Sequence, residues 1–154
     1  MERNKIINEL SKYFSIVELV GPKEYSRDKD LCWRYLRTDL LHTLLVIRKD
    51  ILSVPITVNT WKSGGCFDER GFRSNISDIV KSKTLSGSLY VSPHSLGAAV
   101  DFGVKGMDAE EARRRIREAQ HLLPYPIRME SDVTWVHVDT FDNGNSEKIT
   151  MFKG

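Results

Sequence analysis

SPHSLGAAVDF (residues 92–102) and TWVHVD (residues 134–139) are the two stretches that decide how this chain folds and where its chemistry lies. Each places an imidazole and a carboxylate within a few residues of one another, inside a segment with the composition of buried β-strand. Ionisable groups in such surroundings cost free energy unless a partner compensates them. We therefore expect both stretches to converge on a common partner.

A zinc ion is the partner that these donor types favour, because zinc binds neutral imidazole and carboxylate together in a tetrahedral shell. His94, Asp101 and His137 would supply three protein ligands, and a water would hold the fourth position. Such an open position is typical of catalytic zinc sites. The alternative is that the three side chains make ordinary hydrogen bonds, and the joint presence of both stretches favours the metal.

The same stretches predict the strands that carry the site. On the first strand, over 98–104, Ala99 and Asp101 share one face because side chains alternate along a strand. On the second, His137 and Asp139 share a face, so that Asp139 could orient a ligand or a backbone group from behind.

Hydrophobic periodicity and turn residues predict the remaining elements. Apolar spacing of three and four residues predicts helices over 3–14 and 30–51, and a cap at Asp108 predicts a helix over 108–121. Its run Arg113–Arg115 is predicted to form a solvated face. The other expected elements are a turn at Gly21-Pro22, strands over 56–61 and 89–92, a long loop over 62–88 with a helical turn near 76–80, and a hairpin of strands 127–130 and 135–141.

Together these elements predict one α+β domain over residues 1–154, with helices packed on a mainly antiparallel sheet and the zinc site on that sheet. A chain of this length buries an adequate core as a single domain, and we expect a monomer. The net charge of +2, with both signs interleaved, gives no nucleic-acid footprint. Cys32 and Cys66 form no metal-binding pattern and are expected to be separate thiols.

No signal-peptide segment and no membrane-spanning apolar run is visible in the sequence. We therefore expect no membrane insertion and a cytoplasmic location as encoded.

The pattern Ser-x-His-x-x-Gly-x-Ala-x-Asp at 92–101, followed by x-x-His-Val-Asp at 135–139, resembles the M15 group of zinc peptidases. This group comprises D-alanyl-D-alanine carboxypeptidases and related peptidoglycan peptidases, including many phage endolysins. The resemblance covers residues 14–141 and implies a D-Ala-D-Ala carboxypeptidase-like fold.

The resemblance also implies a zinc site with defined ligands. In the M15 group, the first His, the Asp seven residues later and the His of the His-Val-Asp segment hold the zinc. Carried over by position, these are His94, Asp101 and His137. Gly97 and Ala99 match the small residues that let the chain pack tightly around the metal.

An arginine in the M15 group polarises the scissile carbonyl from a Ser-Gly-Tyr-Arg-like turn. The nearest match is Gly71-Phe72-Arg73-Ser74, so the resemblance implies Arg73 in this role, with Arg70 as the alternative. A fixed cation at a developing oxyanion is a large catalytic contribution where water is excluded. A solvated loop arginine is the competing interpretation.

The chain departs from the M15 pattern at one position. The group places a Glu or Asp three residues before the last zinc His as general base, and this sequence has Thr134 there. A threonine hydroxyl cannot take up a proton at neutral pH. Asp132 is the preferred replacement and Glu130 the second candidate.

The function that the resemblance implies is a zinc-dependent peptidase acting on peptidoglycan stem peptides, as a D,D-carboxypeptidase or endopeptidase. A phage- or prophage-derived enzyme that reaches the cell wall after release is the expected context. The alternative is a catalytically weak or inactive zinc-containing module that binds cell-wall peptides or another protein. A phage structural protein with incidental histidines is the third possibility.

Overall fold

Five strands form one mixed sheet in the computed structural model, which describes residues 1–154. The strands are β1 (Ile56–Thr57), β2 (Ala99–Val104), β3 (Ile127–Glu130), β4 (Val136–Asp139) and β5 (Ile149–Phe152). Their order across the sheet is β1-β2-β4-β3-β5. The pairs β1–β2, β2–β4 and β3–β4 are antiparallel, and β3–β5 is parallel. The predicted α+β class is confirmed.

Alternation of side chains gives this sheet two unlike faces. One face is apolar, and Val100, Phe102, Met129 and Val138 on it are all buried in a cluster of 25 core residues. The opposite face is polar, because the register pairs Asp101 with His137, Arg128 with Asp139 and Glu130 with Phe152.

Five helices accompany the sheet, and three of them contribute to the core on which its apolar face packs. They are α1 (Arg3–Leu10), α2 (Pro22–Asp28), α3 (Thr38–Val46), α4 (Asp78–Leu85) and α5 (Ala109–Glu118). Helices α1, α3 and α5 contribute buried aliphatic side chains to the same core cluster. This leaves the polar face free of helical cover at the ionisable residues described below.

The predicted long helix over 30–51 is wrong, because the chain is interrupted in the middle. Residues Lys29–Tyr35 form a 3₁₀ helix, Leu36 is extended with ψ of 134°, and α3 follows before a π-helical turn over Ile47–Leu52. At the break, the Arg37 amide donates to the Gly97 carbonyl at 2.8 Å. A contact distant in sequence therefore overrides a locally continuous helical pattern.

Other element boundaries also differ from prediction. Helix α1 ends at Leu10 rather than at residue 14, and Gly21-Pro22 starts α2 because a proline is well suited to the first turn of a helix. Strand β1 covers two residues, 89–92 form no strand, α4 is longer than the expected turn, and β5 was not predicted. The hairpin of β3 and β4 is confirmed, with β4 ending at Asp139.

The start of α5 is confirmed, but only part of the arginine run at 113–115 is exposed to solvent as predicted. Asp108 Oδ1 accepts a hydrogen bond from the Glu111 amide at 2.8 Å, as a helix cap does. Arg113 is only 3% exposed and donates to the Trp135 and Val133 carbonyls. Because α5 packs against β4, Arg113 lies inside the fold, whereas Arg114 is exposed as predicted.

Two further observations concern the whole chain. Cys32 is buried and Cys66 is exposed, and both are free thiols as predicted. None of the helices combines the length and the apolar character that a bilayer-spanning segment requires.

Candidate metal centre

His94, Asp101 and His137 lie together on the polar face of the sheet, all three buried. One donor atom from each falls within 4.8 Å of the others. Asp101 on β2 is the direct cross-strand partner of His137 on β4. His94 belongs to the turn that precedes β2, so the two strands and one turn build the cluster.

The His94 ring is oriented by the backbone of a neighbouring loop. Its Nδ1 lies 2.8 Å from the Gly71 carbonyl oxygen, and its Nε2 lies 3.2 Å from Asp101 Oδ2. The loop is itself fixed, because the Phe72 amide donates to the Leu19 carbonyl at 2.9 Å. A side chain at Gly71 would collide with the Leu19 backbone, so glycine permits this close approach.

The His137 ring is held from both sides. Its Nδ1 lies 2.6 Å from Asp101 Oδ1, and its Nε2 lies 2.8 Å from Asp139 Oδ2. Asp139 thus supports His137 from behind, as the shared face on the strand predicted. A carboxylate behind a histidine is the usual outer partner of a metal-binding imidazole.

This donor arrangement fits a metal ion. When Nδ1–H of His94 donates to the Gly71 carbonyl and Nε2–H of His137 donates to Asp139, each neutral ring keeps one lone pair directed at Asp101. Two imidazoles and one carboxylate then offer three donors to a shared position. The cluster could therefore bind a metal ion.

The electrostatics of the cluster reflect strong mutual attraction. Burial opposes ionisation of Asp101, but its hydrogen bonds to His137 and His94 hold the pKa of that carboxyl well below its usual range. Burial would lower the pKa of His137, but hydrogen bonds to Asp101 and Asp139 raise it to about 9, so a metal ion that binds Nδ1 would displace the proton there. Burial likewise opposes ionisation of Asp139, yet His137 and Arg128 lower its pKa.

Arg73 extends into the cluster. Its Nη2 lies 3.3 Å from Asp101 Oδ2, its Nε donates to the Glu69 carbonyl, and its Nη1 donates to the Tyr90 hydroxyl at 2.9 Å. Three contacts therefore fix a guanidinium beside the proposed ligands.

Arg70, the alternative to Arg73, takes a different position. Its guanidinium carbon lies 3.4 Å from the centroid of the Phe67 ring. Its backbone carbonyl accepts a hydrogen bond from the Asp101 amide at 2.7 Å. The structure thus places the side chain of Arg73, and not that of Arg70, in contact with Asp101.

A cleft of about 300 Å³ opens over the cluster, and of the two candidate general bases only Glu130 lines it. Glu130 lines the cleft together with His137, and it shares the polar face of the sheet with Arg128 because it lies two residues further along β3. Asp132 lies outside the cleft, where its carboxylate pairs with Lys153 at 3.0 Å. Thr134 is exposed and faces a different cavity, lined also by Phe102.

Sequence reasoning missed Tyr90, Arg128 and Phe152. Arg128 and Phe152 line the cleft, and Tyr90 anchors Arg73. Alternation along β3 could have indicated Arg128, because it shares a face with Glu130. No comparable signal marks Phe152, whose strand was not predicted, or Tyr90, which contacts Arg73 across 17 residues of chain.

Comparison of this chain with protein-family models, curated proteins and solved structures finds no match.

Proposed function

We propose that this protein is a zinc-dependent peptidase that hydrolyses peptidoglycan stem peptides, as a D,D-carboxypeptidase or endopeptidase of the M15 type. The observation that carries the proposal is the convergence of His94, Asp101 and His137 beneath an open cleft. Two imidazoles and a carboxylate with solvent access form a donor set suited to catalytic zinc. The substrate class rests on the M15-like residue pattern.

Arg73 is proposed to stabilise negative charge on the substrate carbonyl. Zinc, when bound, supplies Lewis acidity to that carbonyl and to the attacking water. The Arg73 guanidinium is held by Glu69 and Tyr90, so it needs little reorganisation when charge develops. Preorganised donors of this kind contribute roughly 10²–10³-fold to turnover in other acyl-transfer sites.

Glu130 is proposed as the general base and later the acid toward the leaving amine. It replaces Asp132 in this role because Glu130 lines the same cleft as His137, whereas Asp132 pairs with Lys153 outside it. The base then comes from the strand beside His137 rather than from the segment leading into β4. This position compensates for Thr134.

Thr134 also favours a second candidate function, a module that binds zinc and a cell-wall peptide without cleaving it. The usual acidic residue is absent at that position, and Thr134 is exposed away from the cleft. Peptide binding without turnover by the zinc-loaded protein would support the module and contradict the enzyme.

The decisive experiment measures hydrolysis of a D-Ala-D-Ala-terminated peptide by zinc-loaded protein. We expect Glu130→Gln to lower kcat by about 10²–10⁴-fold, the usual contribution of a general base. Asp132→Asn should leave kcat within about twofold, because its carboxylate lies outside the cleft. The reverse order would return the role to Asp132, and turnover that survives His137→Ala would exclude the proposed zinc mechanism.

A further inference from the structure

Asp139 is completely buried, and all of its acceptor capacity is directed at four donors. Oδ1 accepts from Arg128 Nε at 2.9 Å and from the Phe141 amide at 3.0 Å. Oδ2 accepts from Arg128 Nη2 at 3.0 Å and from His137 Nε2 at 2.8 Å. Each oxygen therefore has one donor from Arg128 and one from elsewhere.

Among the residues that donate to Asp139, only Arg128 binds both oxygens of the carboxylate. The two parallel hydrogen bonds fix the rotation of the carboxylate about its last bond, which a single donor does not do. The pairing is built into the sheet, because Arg128 on β3 is the cross-strand partner of Asp139 on β4.

One aromatic ring, that of Phe152, contacts both Arg128 and His137. The Arg128 guanidinium carbon lies 4.8 Å from the centroid of the Phe152 ring, which restricts where the guanidinium can move. The same ring meets His137 edge-on, with centroids 5.6 Å apart and an interplanar angle of 90°. Through Phe152, strand β5 thus packs against both Arg128 and His137, the two residues that Asp139 connects.

We propose that Arg128 is a positioning residue of the metal centre. It acts through Asp139, whose fixed Oδ2 holds the His137 ring with Nδ1 directed at Asp101. The inference rests on the proposed zinc site and adds to it a residue that touches none of the three ligands. Loss of Arg128 removes two of the four hydrogen bonds that fix the Asp139 carboxylate and leaves His137 less well oriented for metal binding.

A purely structural role for Arg128 is the competing explanation. A buried carboxylate needs a compensating charge, and removal of that charge alone destabilises a fold. Stability measurements by themselves therefore do not separate the two roles. Metal affinity and the ligand geometry of the folded protein do separate them, because a structural role leaves both unchanged.

The test compares wild type with Arg128→Met and Arg128→Lys, using Arg114→Met as the matched control. Arg114 pairs with Glu111 and Glu118 on the exposed side of α5 and is not among the residues that line the cleft. Zinc affinity is measured by competition with a chromophoric chelator, and the visible absorption spectrum of the cobalt-substituted protein reports ligand geometry. Circular dichroism confirms that each variant is folded.

We expect Arg128→Met to weaken zinc binding about 10–100-fold and to alter the cobalt spectrum, as loss of outer partners does in other sites. Arg128→Lys should fall between it and wild type, because lysine keeps the charge but loses the fork. It also serves if the methionine variant does not fold. Wild-type affinity and an unchanged spectrum in a folded Arg128 variant would overturn the inference alone. Failure of wild type to bind zinc would overturn it together with the proposed function.

Discussion

His137 lies between two carboxylates, and its position shows how much a three-residue motif can specify. In His-Val-Asp the histidine and the aspartate are two residues apart, so a strand places them on one face. Asp101 then meets the ring from the neighbouring strand, and Asp139 supports it from behind. The residue that orients Asp139, Arg128, comes from another strand and is invisible in the motif itself.

Gly97, in the turn that carries His94, has a backbone conformation and surroundings that favour glycine. Its φ is +67°, and a side chain there would collide with the Tyr35 carbonyl. We expect Gly97→Ala to lower the free energy of unfolding by about 1–2 kcal/mol for the left-handed backbone and by about 1–3 kcal/mol more for the collision.

Urea denaturation of Gly97→Ala beside Gly106→Ala measures the two contributions separately. Gly106 has φ of +78° but open space around its Cβ position, so only the backbone penalty applies there. Equal losses in the two variants would show that the close approach to Tyr35 contributes nothing.

At the level of elements, the sequence predicted best where a pattern and its partner lie close together. Strand β2, the β3–β4 hairpin and the cap of α5 depend on alternation or on a residue three positions away, and all three are confirmed. The helix over 30–51 failed because its break depends on Gly97, about sixty residues further along the chain. Strand β5 was missed because it is short and joins β3 only through tertiary pairing.

The same limit explains the arginine run on α5. Periodicity does not reveal which arginine of three faces the sheet, and the one that does, Arg113, provides the hydrogen bonds for the Val133 and Trp135 carbonyls. These carbonyls belong to the segment that leads into β4 and His137. Arg113 therefore connects the helix to the strand that carries the candidate site.

Substitution of Arg113 tests this connection. Arg113→Met removes the two guanidinium N–H groups that donate to the Val133 and Trp135 carbonyls. Both carbonyls then lack a hydrogen-bond partner, so we expect a loss of about 2–3 kcal/mol in the free energy of unfolding. Arg114→Met should cost at most about 0.5 kcal/mol, as surface pairs on a helix usually do. Chemical denaturation of both variants provides the comparison, and similar small losses would contradict a role for Arg113 in anchoring the segment.

For the whole molecule, the two faces of the sheet have different roles. The apolar face and helices α1, α3 and α5 build the core, while the polar face gathers ionisable residues from β2, β3 and β4. The sequence indicated the α+β class and the meeting of His94, Asp101 and His137, because strand alternation and donor chemistry are local signals. The sequence did not indicate that Glu130 rather than Asp132 lines the cleft, because this depends on how the strands pair and how the turn between them folds.

Metal binding should consequently stabilise the whole fold. A ligand that binds only the folded state adds RT ln(1 + [L]/Kd) to its stability, which is about 2.7 kcal/mol at a hundredfold excess over Kd. For a domain of this size, we expect zinc at that excess to raise the Tm by roughly 5–10 °C, and a chelator to reverse the shift. Magnesium should have little effect, because it prefers an octahedral shell of oxygen donors.

Histidine variants assign the shift to the cluster. His94→Ala should abolish most of the zinc-dependent rise in Tm, because it removes one of three donors that lie within 4.8 Å of one another. His121→Ala is the matched control, since His121 is exposed in the 3₁₀ turn after α5 and should retain the wild-type shift. Differential scanning fluorimetry of the three proteins suffices for the comparison. An equal shift in His94→Ala would show that the zinc binds elsewhere. No shift in wild type would contradict the zinc site on which the proposed peptidase chemistry depends.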